Sequence, residues 1–181
     1  MAGLLSASEL VPSSGAEEEP EPDAVAVVAL TAPGDDTTRI AWAGDARAWG
    51  WGGTRLRQDS TDQTMRQFPR VCGGPAAELA DHRDVWVRVS LATAVVATAR
   101  EAEIPDRLVL LTADEIHDTV GRDEVEALVR AHEAHPQVLT NGPWPAAARD
   151  GLTGERDDAT AVALLYLSAP AGWLAGQPNV P

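Results

Sequence analysis

Short apolar runs, separated by glycine, proline and acidic residues, recur along the chain and predict buried strands. The runs span 24–30, 39–44, 108–111 and 160–167. Between residues 47 and 57 small residues alternate with bulkier ones, and Gly52-Gly53 interrupts the pattern, which is typical of a β-hairpin. We therefore expect three consecutive antiparallel strands in this part of the chain.

A helical period marks 122–132, where acidic residues occupy the first turn and Glu126 lies four positions before Arg130. The residues on one face of this helix are Val125, Leu128, Val129 and His132. A second short helix is predicted over 146–150. Residues 85–99 alternate at first and become alanine-rich later, so strand and helix both remain open there.

Three segments follow from these patterns. Residues 1–23 contain an acidic run broken by proline, and we expect a flexible N-terminal segment because such a run buries too little apolar surface to offset its ordering entropy. Residues 24–168 form the domain, in which both strands and helices are predicted. Residues 169–181 form a tail for which no element is predicted.

The composition argues against nucleic-acid and membrane association and indicates a cellular compartment. The 181 residues include 28 acidic and 14 basic side chains, giving a formal charge of −14, and every basic residue is arginine. Without a basic stripe, nucleic acid is not an expected partner. No apolar run approaches the roughly 20 residues that span a bilayer, so no membrane association is expected. With Cys72 as the single cysteine, we predict a reducing, cytoplasmic location.

Acidic residues lie next to three of the predicted strands. Asp45 follows the second strand, Asp114 and Asp118 follow the strand at 108–111, and Asp157 and Asp158 precede the last strand. If the strand ends converge, these carboxylates form a pocket suited to Mg²⁺ or Mn²⁺ rather than zinc. Such ions polarise phosphoryl oxygens and lower the pKa of water, so the pocket predicts phosphate-ester hydrolysis.

The order of three motifs strengthens this hypothesis. They are Gly-Asp-Ala-Arg-Ala-Trp at 44–49, Asp-Arg-Leu-Val-Leu-Leu-Thr-Ala-Asp at 106–114 and Arg-Asp-Asp-Ala-Thr-Ala-Val at 156–162. In this order they resemble the C-terminal two-thirds of the metal-dependent protein serine/threonine phosphatases of the 2C type, over residues 24–168. That family has Gly-Asp-Ser-Arg-Ala-Tyr, then a strand closing with Ser-Asp-Gly, then Asp-Asn-x-Thr.

The resemblance implies an α+β fold, a partial 2C-type phosphatase sandwich with antiparallel β-sheets packed between α-helices. It makes Asp114 the metal-bridging aspartate and Asp157 its partner, while Asp118 and Asp45 correspond to positions associated with an additional metal. It also implies a phosphoprotein substrate. Glu115 replaces the family's glycine, and we expect it either to strain the loop or to add a carboxylate beside the metals.

The largest departure from the family is its N-terminal third, whose phosphate-binding Arg, Asn-Glu-Asp segment and Asp-Gly have no counterpart in this sequence. Three alternatives follow. The chain is an active phosphatase, it is a catalytically inactive phosphatase-like module (a pseudoenzyme) that binds a protein partner, or the missing part comes from another chain or an upstream start. Strands absent from the sheets would leave an exposed edge through which the chain could self-associate.

The remaining candidate residues have simpler interpretations. His117 is expected to be a solvated or capping loop residue rather than a general acid. Cys72 lacks an adjacent base, so we do not expect a nucleophile. Arg47 and Arg156 are expected to pair with carboxylates rather than to bind phosphate. The aromatic residues expected to pack against sheet faces are Trp42, Trp49, Trp51 and Trp86.

Overall fold

The computed structural model describes residues 1–9, 23–32, 34–65, 67, 86–141, 144 and 159–166. The strands are β1 (Ala26–Leu30), β2 (Thr38–Ala43), β3 (Arg47–Trp51), β4 (Leu56–Gln58), β5 (Arg100–Ile104), β6 (Leu108–Thr112) and β7 (Ala161–Leu165). The helices are α1 (Ala2–Ser8), α2 (Asp114–Thr119), α3 (Arg122–His132) and α4 (Pro136–Thr140). Among these residues, no helix is both long and apolar enough to cross a membrane.

The strands form two antiparallel sheets. Sheet A has the order β1-β2-β5 and sheet B the order β4-β3-β6-β7. Apolar side chains from both sheets meet between them, including Ile40 and Trp42 of β2, Ala48 of β3, and Val109 and Leu111 of β6. All five β6 residues are buried, because the strand contributes side chains to the inter-sheet core and to the opposite face of sheet B.

The outer face of sheet B packs against helices α2, α3 and α4. Trp49 and Leu110 on the sheet meet Val125 and Val129 on α3 and Leu139 on α4. The predicted helix at 122–132 is therefore confirmed, and its apolar period has the expected cause, since Val125 and Val129 are the residues that α3 buries.

Helix α1 lies on the outer face of sheet A, where Leu4 is buried with Ala43. The amino group of Met1 also forms an ion pair with Glu101 at 2.8 Å. Residues 2–8 of the N-terminal segment are thus helical, because Leu4 and Leu5 give them an apolar side to bury, whereas the acidic run on which the flexible segment was predicted lies outside the described residues. With helices on the outer faces of both sheets, the predicted α+β sandwich is confirmed.

The predicted run of three consecutive antiparallel strands is wrong in one respect. β3 and β4 form the expected hairpin, but β2 and β3 belong to different sheets. The chain crosses between the sheets at Gly44, which has a φ of +103° and whose missing Cβ leaves room for the side chain of Val25. A glycine accepts this conformation without steric cost.

Other differences lie where the sequence pattern was weak. Strand β5 is absent from the sequence-based predictions, although Ala102 and Ile104 point inwards between exposed charged residues. From residue 86 to 99 the chain forms turns and one isolated bridge, Thr64 with Val87, so neither open alternative is correct. Trp86 is 56% exposed, contrary to the prediction. The helix predicted at 146–150 lies outside the described residues.

Candidate functional site

One end of sheet B brings together the segments that carry the predicted site. Arg47 at the start of β3 pairs with Thr112 at the end of β6, which pairs with Ala161 at the start of β7. Asp45 lies two residues before Arg47 in the chain, and Asp114 lies two residues after Thr112. The backbone N–H of Ala113 donates to the carbonyl of Thr160 at 3.0 Å, so the chain entering β7 also passes this end.

The turn that carries Asp45 is held by Gln63, a buried residue that no sequence motif indicated. The N–H of Gly44 donates to Gln63 Oε1 at 2.8 Å, and the N–H of Gln63 donates to the carbonyl of Gly44 at 3.0 Å. Gln63 Nε2 donates in turn to the carbonyl of Thr98. These bonds satisfy a buried amide and fix the position of the Asp45 backbone.

Asp45 is the most buried carboxylate of the candidate site, with 7% of its surface exposed. Burial is the first cause that raises its pKa from the ordinary value of 3.8 to about 6, and repulsion from Asp114 is the second. Asp62 and Asp118 add smaller repulsions. The Oδ1 atom of Asp45 has no hydrogen-bond partner. The site therefore contains a desolvated acceptor oxygen on a carboxylate that neighbouring carboxylates repel.

Asp114 begins helix α2, so the segment around Glu115, which was expected to be a loop, is helical instead. Ala113 is the N-cap with extended backbone, and Asp114 and Glu115 occupy the first turn, where the helix dipole favours acidic residues. Within the described residues no side-chain-bearing residue has a positive φ. The alternative that Glu115 strains the backbone is therefore wrong, because a helical turn accepts glutamate readily.

Asp118 lies four residues after Asp114 on the same short helix, and its side chain is 61% exposed. It is close enough to Asp45 to raise the pKa of that carboxyl, but its effect is the smallest among those of the neighbouring carboxylates. Asp157, Asp158 and Arg156 lie outside the described residues, as does Cys72.

Arg47 forms an ion pair, as expected, but its partner is Asp62, which the sequence did not single out. Nε and Nη2 of Arg47 donate to the two carboxylate oxygens of Asp62 at 2.9 and 2.5 Å. The guanidinium also lies over the Trp49 ring, 5.8 Å from its centroid. Arg47 therefore stabilises this end of the sandwich through its ion pair with Asp62 and its contact with Trp49.

His117 differs most from its prediction as a solvated loop residue. Its side chain is only 3% exposed, and its Nδ1 atom has no hydrogen-bond partner. Burial, followed by the charge of Arg47, lowers the pKa of His117 from 6.5 to about 4. The imidazole is therefore neutral at pH 7. Only the tertiary packing of α2 on sheet B distinguishes it from a surface histidine.

The described residues fit a divalent cation only in part. The unpartnered oxygen of Asp45 and the neighbouring Asp114 supply the hard donors that Mg²⁺ and Mn²⁺ prefer. However, no three acidic, histidine or cysteine side chains of the described residues form a group that could hold a metal ion. A complete centre would need ligands beyond those the structure describes.

The α+β sandwich is shared with solved structures of bacterial serine/threonine phosphatases. The chain matches PppA, a regulatory component of the type VI secretion system (T6SS) of Pseudomonas aeruginosa, with a TM-score of 0.64 and 19% identity over 90% of this chain and 66% of PppA. It matches the serine/threonine phosphatase PstP/Ppp of Mycobacterium tuberculosis with a TM-score of 0.59 and 22% identity over 91% of this chain and 68% of that one.

A third match is the catalytic domain of PstP in complex with two manganese ions, with a TM-score of 0.55 and 19% identity over 89% of this chain and 64% of that one. The chain spans only 56% of a further bacterial serine phosphatase, which it matches with a TM-score of 0.54. No family model and no curated protein matches it. The chain therefore has a 2C-type phosphatase-like fold, as the three motifs predicted.

Proposed function

We propose that the chain is a 2C-type phosphatase-like protein that binds Mg²⁺ or Mn²⁺ at the Asp45–Asp114 end of the sandwich and hydrolyses phosphoserine or phosphothreonine in proteins. The observation that carries the proposal is the buried, unpartnered oxygen of Asp45 beside Asp114. A carboxylate in this environment lowers its free energy by accepting a cation, because the cation replaces lost solvation and offsets the repulsion.

Asp45 and Asp114 would hold the cation together with Asp157, while Asp118 would contribute from the exposed side of α2. When bound, the cation would polarise the phosphoryl oxygens and lower the pKa of water. The role of the chain's own residues is positioning, since Gln63 fixes the turn at Gly44 and the Arg47–Asp62 ion pair holds β3 beside it.

The same geometry limits substrate binding. Among the described residues Arg47 is the arginine next to the cluster, and its Nε and Nη2 atoms already donate to Asp62. It is therefore not free to bind a phosphate, and we expect a high KM for small phosphate esters. A phosphoprotein substrate, which contacts a larger surface, is the class that the proposal favours. A cytoplasmic location belongs to the same proposal, because the single Cys72 excludes an intrachain disulfide.

Hydrolysis of p-nitrophenyl phosphate and of a phosphothreonine peptide, with and without Mn²⁺, tests the catalytic claim. We expect Mn²⁺-dependent turnover by the natural chain and only the background rate for Asp114→Asn. Asp35→Asn is the matched control, because it removes the same charge from an exposed turn. Equal rates for the natural chain and Asp114→Asn would contradict the proposal.

A second candidate is a catalytically inactive phosphatase-like module that binds a protein partner. It is favoured by the absence, among the described residues, of a group of three metal-binding side chains. Calorimetric titration with Mn²⁺ separates the two candidates. Tight binding that Asp114→Asn abolishes supports the metal centre, whereas no heat of binding, together with no turnover, supports the module.

A further inference from the structure

The outer strand of sheet A lacks the features that usually protect a sheet edge. Within the described residues, β1 pairs with β2 on one side only. Residues 24–32 contain no charged residue, proline or glycine. Natural proteins normally blunt such edges with charges, proline or bulges, because unpaired backbone N–H and C=O groups invite another strand.

The side chains of β1 fall into two sets. Val27 and Ala29 pack towards the inter-sheet core, whereas Val28 and Leu30 on the outer face are 49% and 64% exposed. These two residues line a groove together with Leu4 of α1. The edge thus combines free backbone groups with an exposed apolar strip, and a strand added to it would cover both.

The other sheet edges of the described structure are less suited to self-pairing. In a symmetric pair through β5, Glu101 would face Glu103 of the second copy, and like charges directly opposite each other are destabilising. β4 has only three residues, one of them Arg57. β7 is uncharged, but α4 packs against it and Val162 is its one large side chain with substantial exposure, at 46%.

We propose that two copies of the chain pair through β1, antiparallel, about a two-fold axis at Val28. In this register Ala26 faces Leu30 of the second copy on the outer face, and Val27 faces Ala29 on the inner face. A small side chain therefore meets a large one at each pair away from the axis, and no charges are opposed. The pairing is isologous and joins the two copies of sheet A into one six-stranded sheet.

The structure also limits the length of this interface. At the start of β1 the N–H of Leu91 donates to the carbonyl of Ala24 at 2.7 Å, so pairing is confined to Ala26–Leu30. A short interface of this kind is typical of weak complexes, which bury less than about 1,200 Å². The net charge of −14 on each copy opposes association, so salt strengthens the dimer by screening that repulsion.

Light scattering coupled to size exclusion, at about 0.5 M salt, where the Debye length is below about 8 Å, tests the proposal. We expect a mass approaching twice 19.1 kDa at high protein concentration. Val28→Glu places two glutamates against each other at the axis and should restore the monomer. The matched control is Val162→Glu, at a similarly exposed position of β7, which should leave the dimer intact. Circular dichroism establishes that both variants are folded.

Cross-linking tests the register directly. Residues facing each other across antiparallel strands have Cα atoms about 4.5–5.5 Å apart, within the range of about 4.4–6.8 Å that a disulfide spans. In a Cys72→Ser background, Val28→Cys should form a disulfide-linked dimer under mild oxidation, and Val162→Cys should not. A monomeric natural chain, a dimer that persists in Val28→Glu, or equal cross-linking by both cysteine variants would overturn the proposal. Because it depends on the edge of sheet A alone, loss of phosphatase activity in Asp114→Asn leaves it unaffected.

Discussion

The substitution Asp45→Asn probes the electrostatic state of the candidate site most directly. At pH 7 in the absence of a cation, the Asp45 carboxylate is ionised although it is 93% buried and is repelled by Asp114. Asparagine has nearly the same shape and no charge. The variant should therefore be more stable than the natural chain, contrary to the usual effect of replacing a buried polar residue.

The magnitude follows from the pKa shift. Burial and repulsion raise the pKa of Asp45 from 3.8 to about 6, and each unit corresponds to about 1.4 kcal/mol. A raised pKa means that the folded state holds the proton more tightly than the unfolded chain does. Stability is therefore lost as the pH rises from about 4 through 6, and the cost reaches about 3 kcal/mol above that range. Asp45→Asn removes this destabilisation, so the difference in the free energy of unfolding between the variant and the natural chain grows over the same pH range.

Urea unfolding followed by tryptophan fluorescence, between pH 4 and 8 and in EDTA, measures the difference. The control is Asp35→Asn, which changes the net charge equally at an exposed position and should show no comparable pH dependence. Adding Mn²⁺ extends the test, because a cation that binds only the folded state should stabilise the natural chain and not Asp45→Asn. A variant less stable than the natural chain at pH 7 in EDTA, or an advantage that is equal at pH 4 and pH 7, would refute the reasoning.

Two further predictions concern the packing around the site and at the other end of the sandwich. Burial lowers the pKa of His117 from 6.5 to about 4, so stability should fall by about 2 kcal/mol between pH 6.5 and pH 5. His117→Gln should remove this decline in the free energy of unfolding, as measured by urea unfolding. Both proteins in this comparison carry Asp45→Asn, because the contribution of Asp45 to stability changes with pH in the opposite direction over the same range. Gly50→Ala should destabilise the fold by about 1–3 kcal/mol, since the added Cβ would overlap Asp106 Oδ2 and lie 2.9 Å from Ile104. Gly121→Ala, with nothing within 4 Å of its Cβ, should lower the melting temperature less, because it loses only the preference for glycine over alanine at the N-cap of α3, and equal melting temperatures for the two variants would contradict the prediction.

Elements that depend on a local pattern of residues could be predicted from the sequence alone. Four strands were predicted from apolar runs, because a strand buried on one or both faces must be apolar at the corresponding positions. Helix α3 was predicted from its period, because Val125 and Val129 must share a face to be buried together. The order of the acidic motifs around Asp45, Asp114 and Asp157 was sufficient to indicate a 2C-type phosphatase-like fold.

Which segments become neighbours depends on the assembled fold and follows from no local pattern. β5 is largely charged and has a place in sheet A because Ala102 and Ile104 meet the inter-sheet core. Arg47 pairs with Asp62, fifteen residues away, and no local pattern connects them. The burial of His117 and the raised pKa of Asp45 depend on atoms contributed by distant elements. Desolvation and repulsion are properties of a packed environment, and the chain acquires that environment only when both sheets and their helices are assembled.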